Sequence, residues 1–95
     1  MHVISRKALR NFWVRQPDSE QPLRRWHKLI TTRDFGSFAE LRETFPSADT
    51  VDNLTVFNIG GNKYRLIASI HFNRHKVYVR HVLTHAEYDQ GDWKP

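Results

Sequence analysis

A chain of 95 residues suits one domain with one modest core, and its 39% apolar content, with twelve aromatic residues, fills that core while leaving much solvated surface. No run of eighteen apolar residues is present and Met1-His2-Val3-Ile4-Ser5-Arg6-Lys7 holds no apolar stretch of secretory-signal length, so a cytoplasmic protein is expected, and the absence of cysteine excludes disulfides and thiolate chemistry. The formal charge of +5 favours an anionic partner, nucleic acid, acidic protein or anionic lipid, although a merely solvated basic surface has the same composition.

In chain order, Val3-Ile4 reads as a very short strand closed by Ser5, which is placed to cap a first helix. Ala8, Leu9, Phe12 and Trp13 recur there at helical spacing, with Arg6, Lys7, Arg10 and Arg15 on the other faces, and Gln16-Pro17-Asp18 stops the helix. A second helix is predicted from near Ser19, with Leu23, Trp26 and Ile30 as its buried stripe, Leu29 beside them, and Arg24, Arg25, Lys28 and Arg33 outward. After the break at Asp34-Phe35-Gly36, Ser37-Phe38-Ala39-Glu40 has capping-box spacing and opens a short helix to about Phe45, ended by Pro46.

Beyond Asn53 the period becomes alternating. Thr55 to Ile59 is a predicted strand and Gly60-Gly61-Asn62 a hairpin turn. Tyr64, Leu66, Ala68, Ile70 and Phe72 then alternate with Arg65, Ile67, Ser69 and His71. Asn73-Arg74-His75 turns the chain into a strand from Lys76 to Thr84, with Val77, Val79, His81 and Leu83 on one face and Tyr78, Arg80, Val82 and Thr84 on the other. His85 to Pro95 is predicted as a short turn or helix plus a polar tail, the tail from about 90 to 95. With no repeat or linker, this is one domain over 1–95, α+β, with N-terminal helices packed on a small antiparallel sheet.

Two clusters carry chemistry. Lys63 and Arg65 share strand parity and are expected on one face, where they suit phosphate contact or are simply solvated. Arg80, His85, Tyr88 and Asp89 gather where the last strand ends, a place where rigid elements hold functional side chains; the plain alternative is that Tyr88 packs on the core while Asp89 and Glu87 solvate the tail. His71/His75 and His81/His85 have i, i+4 spacing, but along a strand such pairs stand about 13 Å apart, so no metal site is expected. Phosphate-binding glycine loops, serine-nucleophile elbows and recognition-helix signatures are also missing. What remains suits cutting RNA without metal or cofactor, since the 2′-OH is the substrate's own nucleophile. His85 and Tyr88 are then proton-transfer or orienting groups, with Lys63, Arg65 and Arg80 as phosphate clamps.

Four segments together, Met1-His2-Val3-Ile4-Ser5-Arg6-Lys7-Ala8-Leu9, Phe45-Pro46-Ser47-Ala48-Asp49, Phe57-Asn58-Ile59-Gly60-Gly61-Asn62-Lys63-Tyr64-Arg65-Leu66 and Thr84-His85-Ala86-Glu87-Tyr88-Asp89, resemble the HigB toxin family of the RelE-like superfamily over nearly the whole chain. The resemblance implies a RelE-like fold and the toxin of a type II toxin–antitoxin system, an endoribonuclease cutting mRNA in the ribosomal A site. It also implies neutralisation by a HigA-type helix-turn-helix antitoxin, through which operator DNA is bound. It assigns Lys63, Arg65, His85 and Tyr88 to catalysis and, less directly, Arg80 and Asp89 to RNA. It does not divide the roles of acid and base, because Asp49 to Leu54 holds no lysine where RelE-like enzymes carry several. Arg6, Lys7, Arg10, Arg24, Arg25 and Lys28 are expected ribosomal-RNA contacts or a solvated helix surface, and Phe12, Trp13, Trp26 and Phe57 core. A basic module that blocks translation without cutting, and an assembly partner of a DNA-binding regulator, are the competing functions.

Overall fold

The computed structural model describes residues 1–94. Among them five strands, β1 (His2–Ile4), β2 (Asp49–Val51), β3 (Leu54–Ile59), β4 (Tyr64–His71) and β5 (Lys76–Thr84), form one sheet in the order β1-β5-β4-β3-β2. The helices are α1 (Arg6–Arg15), α2 (Glu20–Thr31), α3 (Phe38–Thr44) and α4 (His85–Gln90). The α+β class follows from the change of period along the chain. The sheet, however, is mixed rather than antiparallel throughout, because β1 lies parallel to β5. A parallel pair needs a long crossover, and here everything between Ile4 and Lys76 supplies it, beyond the reach of a local pattern.

β2 is an element that the alternating pattern does not reveal. It is three residues long and pairs with β3 through a two-residue loop, Asp52-Asn53, in which both residues take positive φ, 49° and 68°. That is the backbone of the tight hairpin turn that aspartate and asparagine tolerate. The next hairpin turns at Gly60 and Gly61, φ 62° and 68°, where a side chain would be strained.

Sheet parity sorts the apolar residues onto two faces. Leu9 and Phe12 of α1, Leu23, Trp26 and Ile30 of α2, and Leu41 of α3 are buried against Phe57, Ile59, Tyr64, Leu66, Ala68, Val77 and Val79. Edge-on aromatic pairs, Phe12–Tyr64 at 5.3 Å and Trp26–Phe57 at 5.4 Å, lock the helices to the sheet, each worth about 0.5–1.5 kcal/mol beyond the area it buries. Phe12, Trp26 and Phe57 are core, as expected; Trp13 is half-buried, with Arg24 over its ring at 4.7 Å. On the opposite face Val56, Ile67 and Trp93 form a second, smaller cluster joined by Leu83 and Tyr88.

Simple alternation fails in the middle of β5. Ile67 pairs with His81 and Ala68 with Val79, so Arg80 is an extra, bulged residue. Val77 and Val79 face the helices, but beyond the bulge Val82 joins that core and Leu83 the second cluster. The expected single face of Val77, Val79, His81 and Leu83 is therefore split.

Caps also differ from expectation. Ser5 sits at φ 77° and caps nothing with its side chain, while Ser19, buried, donates its hydroxyl to the Gln16 carbonyl because a 3₁₀ turn over Pro17–Ser19 already leads into α2. Ser37 does accept from the Glu40 amide at 3.2 Å, but the Glu40 carboxylate turns to Arg33 and the Gly36 amide instead of closing the box. The complete capping box is at α4, where Thr84 and Glu87 bond each other's backbone amides at 3.2 and 2.9 Å. Residues read from composition as a polar tail include Trp93, which is 6% exposed and covers the second cluster; Pro95 lies outside the described residues.

Candidate functional site

Arg65 is placed by β4 on the face away from α1, α2 and α3, opposite Leu83 of β5. Only 8% of it is exposed. Burying a charge is costly unless hydrogen bonds replace its water, and four do so. The guanidinium donates to Asn62 Oδ1 at 2.5 Å, to the Tyr64 and Asn62 carbonyls at 3.1 and 3.3 Å, and meets His85 Nδ1 at 3.2 Å. Its Cζ lies 5.3 Å from the centre of the Tyr88 ring. Among the described residues no carboxylate touches it, so its charge is hydrogen-bonded but not neutralised.

His85, Tyr88 and Asp89 arrive on α4. The Tyr64↔Thr84 pair brings the end of β5 beside the glycine turn, and the His85 amide donates to the Lys63 carbonyl at 3.0 Å. With the capping box holding the start of the helix, His85 projects toward Arg65, and its Nε2 lies 3.1 Å from Asp89 Oδ2 one helical turn on. Tyr88 stacks on Trp93, ring centres 5.0 Å apart and planes 13° from parallel, and the Trp93 indole N–H donates to the Tyr88 carbonyl at 2.9 Å. Arg65, His85 and Tyr88 thus form one cluster: a fixed cation beside an imidazole and a phenol, an arrangement able to hold an anion and move protons at its edge. An adjoining hollow of about 190 Å³ is lined by His81, Leu83, Glu87, Gln90, Asp92 and Trp93 and includes none of the three.

Lys63 departs from its expected position. It lies in the turn rather than in the strand, so strand parity does not govern it, and its ammonium reaches Asp18 Oδ2 at 3.2 Å instead of sharing a face with Arg65. The Tyr64 hydroxyl donates to the other oxygen of Asp18. That hydrogen bond, then Lys63, holds the Asp18 carboxyl below its ordinary value near 3.8, while the same bond pushes the Tyr64 phenol above its ordinary 10.0. The stabilisation by Asp18 is therefore present above its unfolded value and lost as pH falls through its folded one. In Tyr64→Phe the Asp18 carboxyl should titrate closer to 3.8 in a carbon-detected NMR titration; an unchanged midpoint would show that the phenol is not the cause.

The other predicted RNA contacts are spread over two surfaces. Arg80 is exposed at the bulge, 5.7 Å over the Tyr78 ring. Arg6, Arg24 and Lys28 line a groove of about 100 Å³ between α1 and α2 with Trp13 and His27, and Arg25 joins Arg24 and Lys28 at a neighbouring hollow. Burial and then Arg6 lower the pKa of His27. Lys7 and Arg10 are exposed on α1. These helix cations lie across the sheet from Arg65 and do not meet the cluster. Asn62, which holds the Arg65 fork, and Trp93, which carries Tyr88, are site residues that the sequence reading left out; Asn62 stood there only as a turn former.

Residues 19–91 match a family model described as HigB_toxin, RelE-like toxic component of a toxin-antitoxin system, and the chain belongs to that family. It is 37% identical over 92 residues to the mRNA interferase toxin HigB of Escherichia coli (strain K12), covering 94% of this chain and 88% of that one. It is likewise 37% identical to the mRNA interferase HigB of Shigella flexneri, with the same coverage. With the mRNA interferase HigB of Escherichia coli O6:H1 it shares 32% identity over 93 residues, 95% of this chain and 90% of that one.

Proposed function

We propose that this toxin is an endoribonuclease that cleaves mRNA without a metal or cofactor and so stops translation, as the effector of a type II pair. The observation that carries the reading is the buried Arg65 guanidinium, free of any carboxylate among the described residues and flanked by His85 and Tyr88. The name mRNA interferase, borne by its relatives, supports the choice of substrate. In this reading His85 takes the 2′-hydroxyl proton as the 2′-oxygen bonds phosphorus. Arg65 holds the charge of the five-coordinate phosphorane. The P–O5′ bond breaks, and the departing 5′-oxygen takes the Tyr88 proton, leaving a 2′,3′-cyclic phosphate and a 5′-hydroxyl end; His85 and Tyr88 then exchange protons with water. A positioned acid or base contributes ~10²–10⁴-fold and a fixed donor at the developing charge ~10²–10³-fold, enough for catalysis by the side chains alone. Lys63, paired with Asp18 beside the turn, can exchange that carboxylate for an RNA phosphate.

The substrate is met on the translating ribosome, in the A site, within the cytoplasm. Arg80, Arg6, Lys7, Arg10, Arg24, Arg25 and Lys28 grip RNA phosphates there, from two sides of the domain. A cognate HigA-type helix-turn-helix antitoxin neutralises the toxin, and the complex binds operator DNA through the antitoxin.

The test is to induce the chain in growing cells and map RNA 5′ ends, then repeat the cleavage with translating ribosomes and purified toxin that has been stripped of metal by chelation and dialysed before use. New 5′-hydroxyl ends within reading frames, unaffected by stripping the toxin and absent with His85→Ala, are expected. Binding should weaken by ~0.7–0.9 log units per phosphate contact for each tenfold rise in salt. Arrest of translation with no new ends would make the toxin a non-cleaving blocker and overturn the proposal.

A further inference from the structure

We propose that Asp89 is a positioning residue that fixes His85 as the tautomer protonated on Nε2, making Nδ1 the atom that accepts the substrate proton, and that Arg65 covers Nδ1 until a phosphate draws the guanidinium away. This rests on the reading of Arg65 and His85 given above, and it replaces a direct RNA contact as the role of Asp89.

The argument is one of donors and acceptors. A guanidinium carries N–H donors and no acceptor, so the 3.2 Å contact between Arg65 and His85 Nδ1 is a hydrogen bond only if Nδ1 presents its lone pair. A neutral imidazole has one donor and one acceptor nitrogen, so Nε2 carries the hydrogen, and the Asp89 carboxylate stands beside it, Oδ2 3.1 Å from Nε2, where its charge attracts that N–H. The hydrogen bond and the charge contact favour the same tautomer. Were Nδ1 protonated, two N–H groups would face each other across 3.2 Å. The imidazole is also held from behind, because the His85 amide is bonded to Lys63 and the capping box fixes the first turn of α4. Asp89 is 61% exposed, yet its carboxylate is turned to the ring, and a carboxylate in contact with RNA would repel the phosphates that Arg65 attracts.

Reaction then requires a change of partner. With both ring nitrogens engaged, His85 can accept no proton until Arg65 leaves Nδ1. A phosphate offers the guanidinium a charged, two-point acceptor stronger than an imidazole lone pair. Once Arg65 moves onto it, Nδ1 is bare beside the 2′-hydroxyl. Its proton passes to Nδ1 as the 2′-oxygen bonds phosphorus, and the 5′-oxygen leaves with the proton of Tyr88. Asp89 favours the imidazolium so formed. The charged or titratable side chains facing the ring are Arg65 from β4 and Asp89 and Tyr88 from α4; Glu87 is occupied at the Thr84 amide and Lys63 at Asp18.

The test uses the full-length toxin with Asp89→Ala and Asp89→Asn, both surface changes. Histidine nitrogen NMR of the wild type should show His85 protonated on Nε2. Asp89→Ala should give a tautomer mixture and a fall in kcat of about 10-fold or more with KM little changed. The fall stays within the ~10²–10⁴-fold that a positioned base contributes. Asp89→Asn, whose amide oxygen keeps a partial negative charge beside Nε2–H, should hold part of the tautomer preference and recover part of kcat. Adding an uncleavable DNA oligonucleotide should move the Nδ1 resonance as Arg65 departs. A hydrogen on Nδ1 in the free toxin, a loss in Asp89→Ala confined to KM, or an Nδ1 signal indifferent to bound DNA would overturn the proposal. Wild-type cleavage by His85→Ala would instead remove the proposed site itself, a result distinguishable from all three.

Discussion

Arg65→Lys is expected to reduce cleavage by at least 10²-fold, about 2.7 kcal/mol in the barrier, while keeping the positive charge. Charge alone is not what the site holds. The Arg65 fork reaches Asn62 Oδ1, two backbone carbonyls and His85 Nδ1 at once, and lies over the Tyr88 ring. An ammonium is a compact point charge with three donors, unable to span those partners in one plane or to grip a phosphate at two points. The stability cost is smaller and separate, about 1–3 kcal/mol for the buried acceptors left unsatisfied. Single-turnover cleavage at a temperature where circular dichroism shows both proteins folded would separate the two effects. A rate within threefold of wild type would mean that Arg65 acts only through its charge, and the fork geometry would lose its meaning.

The parts of this molecule that were legible in its sequence are those governed by a local period. The stripe of Leu23, Trp26 and Ile30 gave α2, and the alternation from Tyr64 gave β4 and its hairpin. The meeting of Arg65 with His85 was legible for the same reason, since antiparallel strands joined by a short turn put Tyr64 opposite Thr84, whereas Lys63 and Arg80 stand apart from that pair. Where the reading failed, the cause was non-local or too short to repeat. The parallel β1–β5 pair spans most of the chain, the bulge at Arg80 resets parity inside an otherwise regular strand, and Asp18, the partner of Lys63, comes from 45 residues earlier. Two further signals lie in the sequence itself. Thr84-His85-Ala86-Glu87 has the same capping-box spacing as Ser37-Phe38-Ala39-Glu40, and Asp89 stands one helical turn from His85. The residues from about 90 read as tail because their composition is polar, and the one large apolar side chain among them, Trp93, has no periodic neighbour to announce it.

Trp93→Ala is accordingly expected to abolish cleavage without touching a reacting group. Helix α4 has six residues, too few to persist in water by backbone bonding alone. What holds it on the sheet is Trp93, buried with Val56 and Ile67, stacked on Tyr88 and bonded through its indole N–H to the Tyr88 carbonyl. Truncating a buried tryptophan costs about 3–5 kcal/mol in a core, and here that loss falls on the small cluster beneath α4 while the helix-side core of Phe12, Trp26 and Phe57 stays intact. Amide hydrogen exchange should therefore become fast in α4 and remain slow in α2. His85, Tyr88 and Asp89 would then sample many positions relative to Arg65, and cleavage should fall at least as far as in His85→Ala. Trp93→Phe, which keeps most of the stacking area but lacks the N–H, should give an intermediate loss near 1 kcal/mol in stability. If α4 stayed protected and cleavage persisted in Trp93→Ala, the capping box and the His85–Lys63 bond would be sufficient to hold the helix. The rigidity of the site would then come from its first turn, and the aromatic stack behind it would serve only to cover the second face of the sheet.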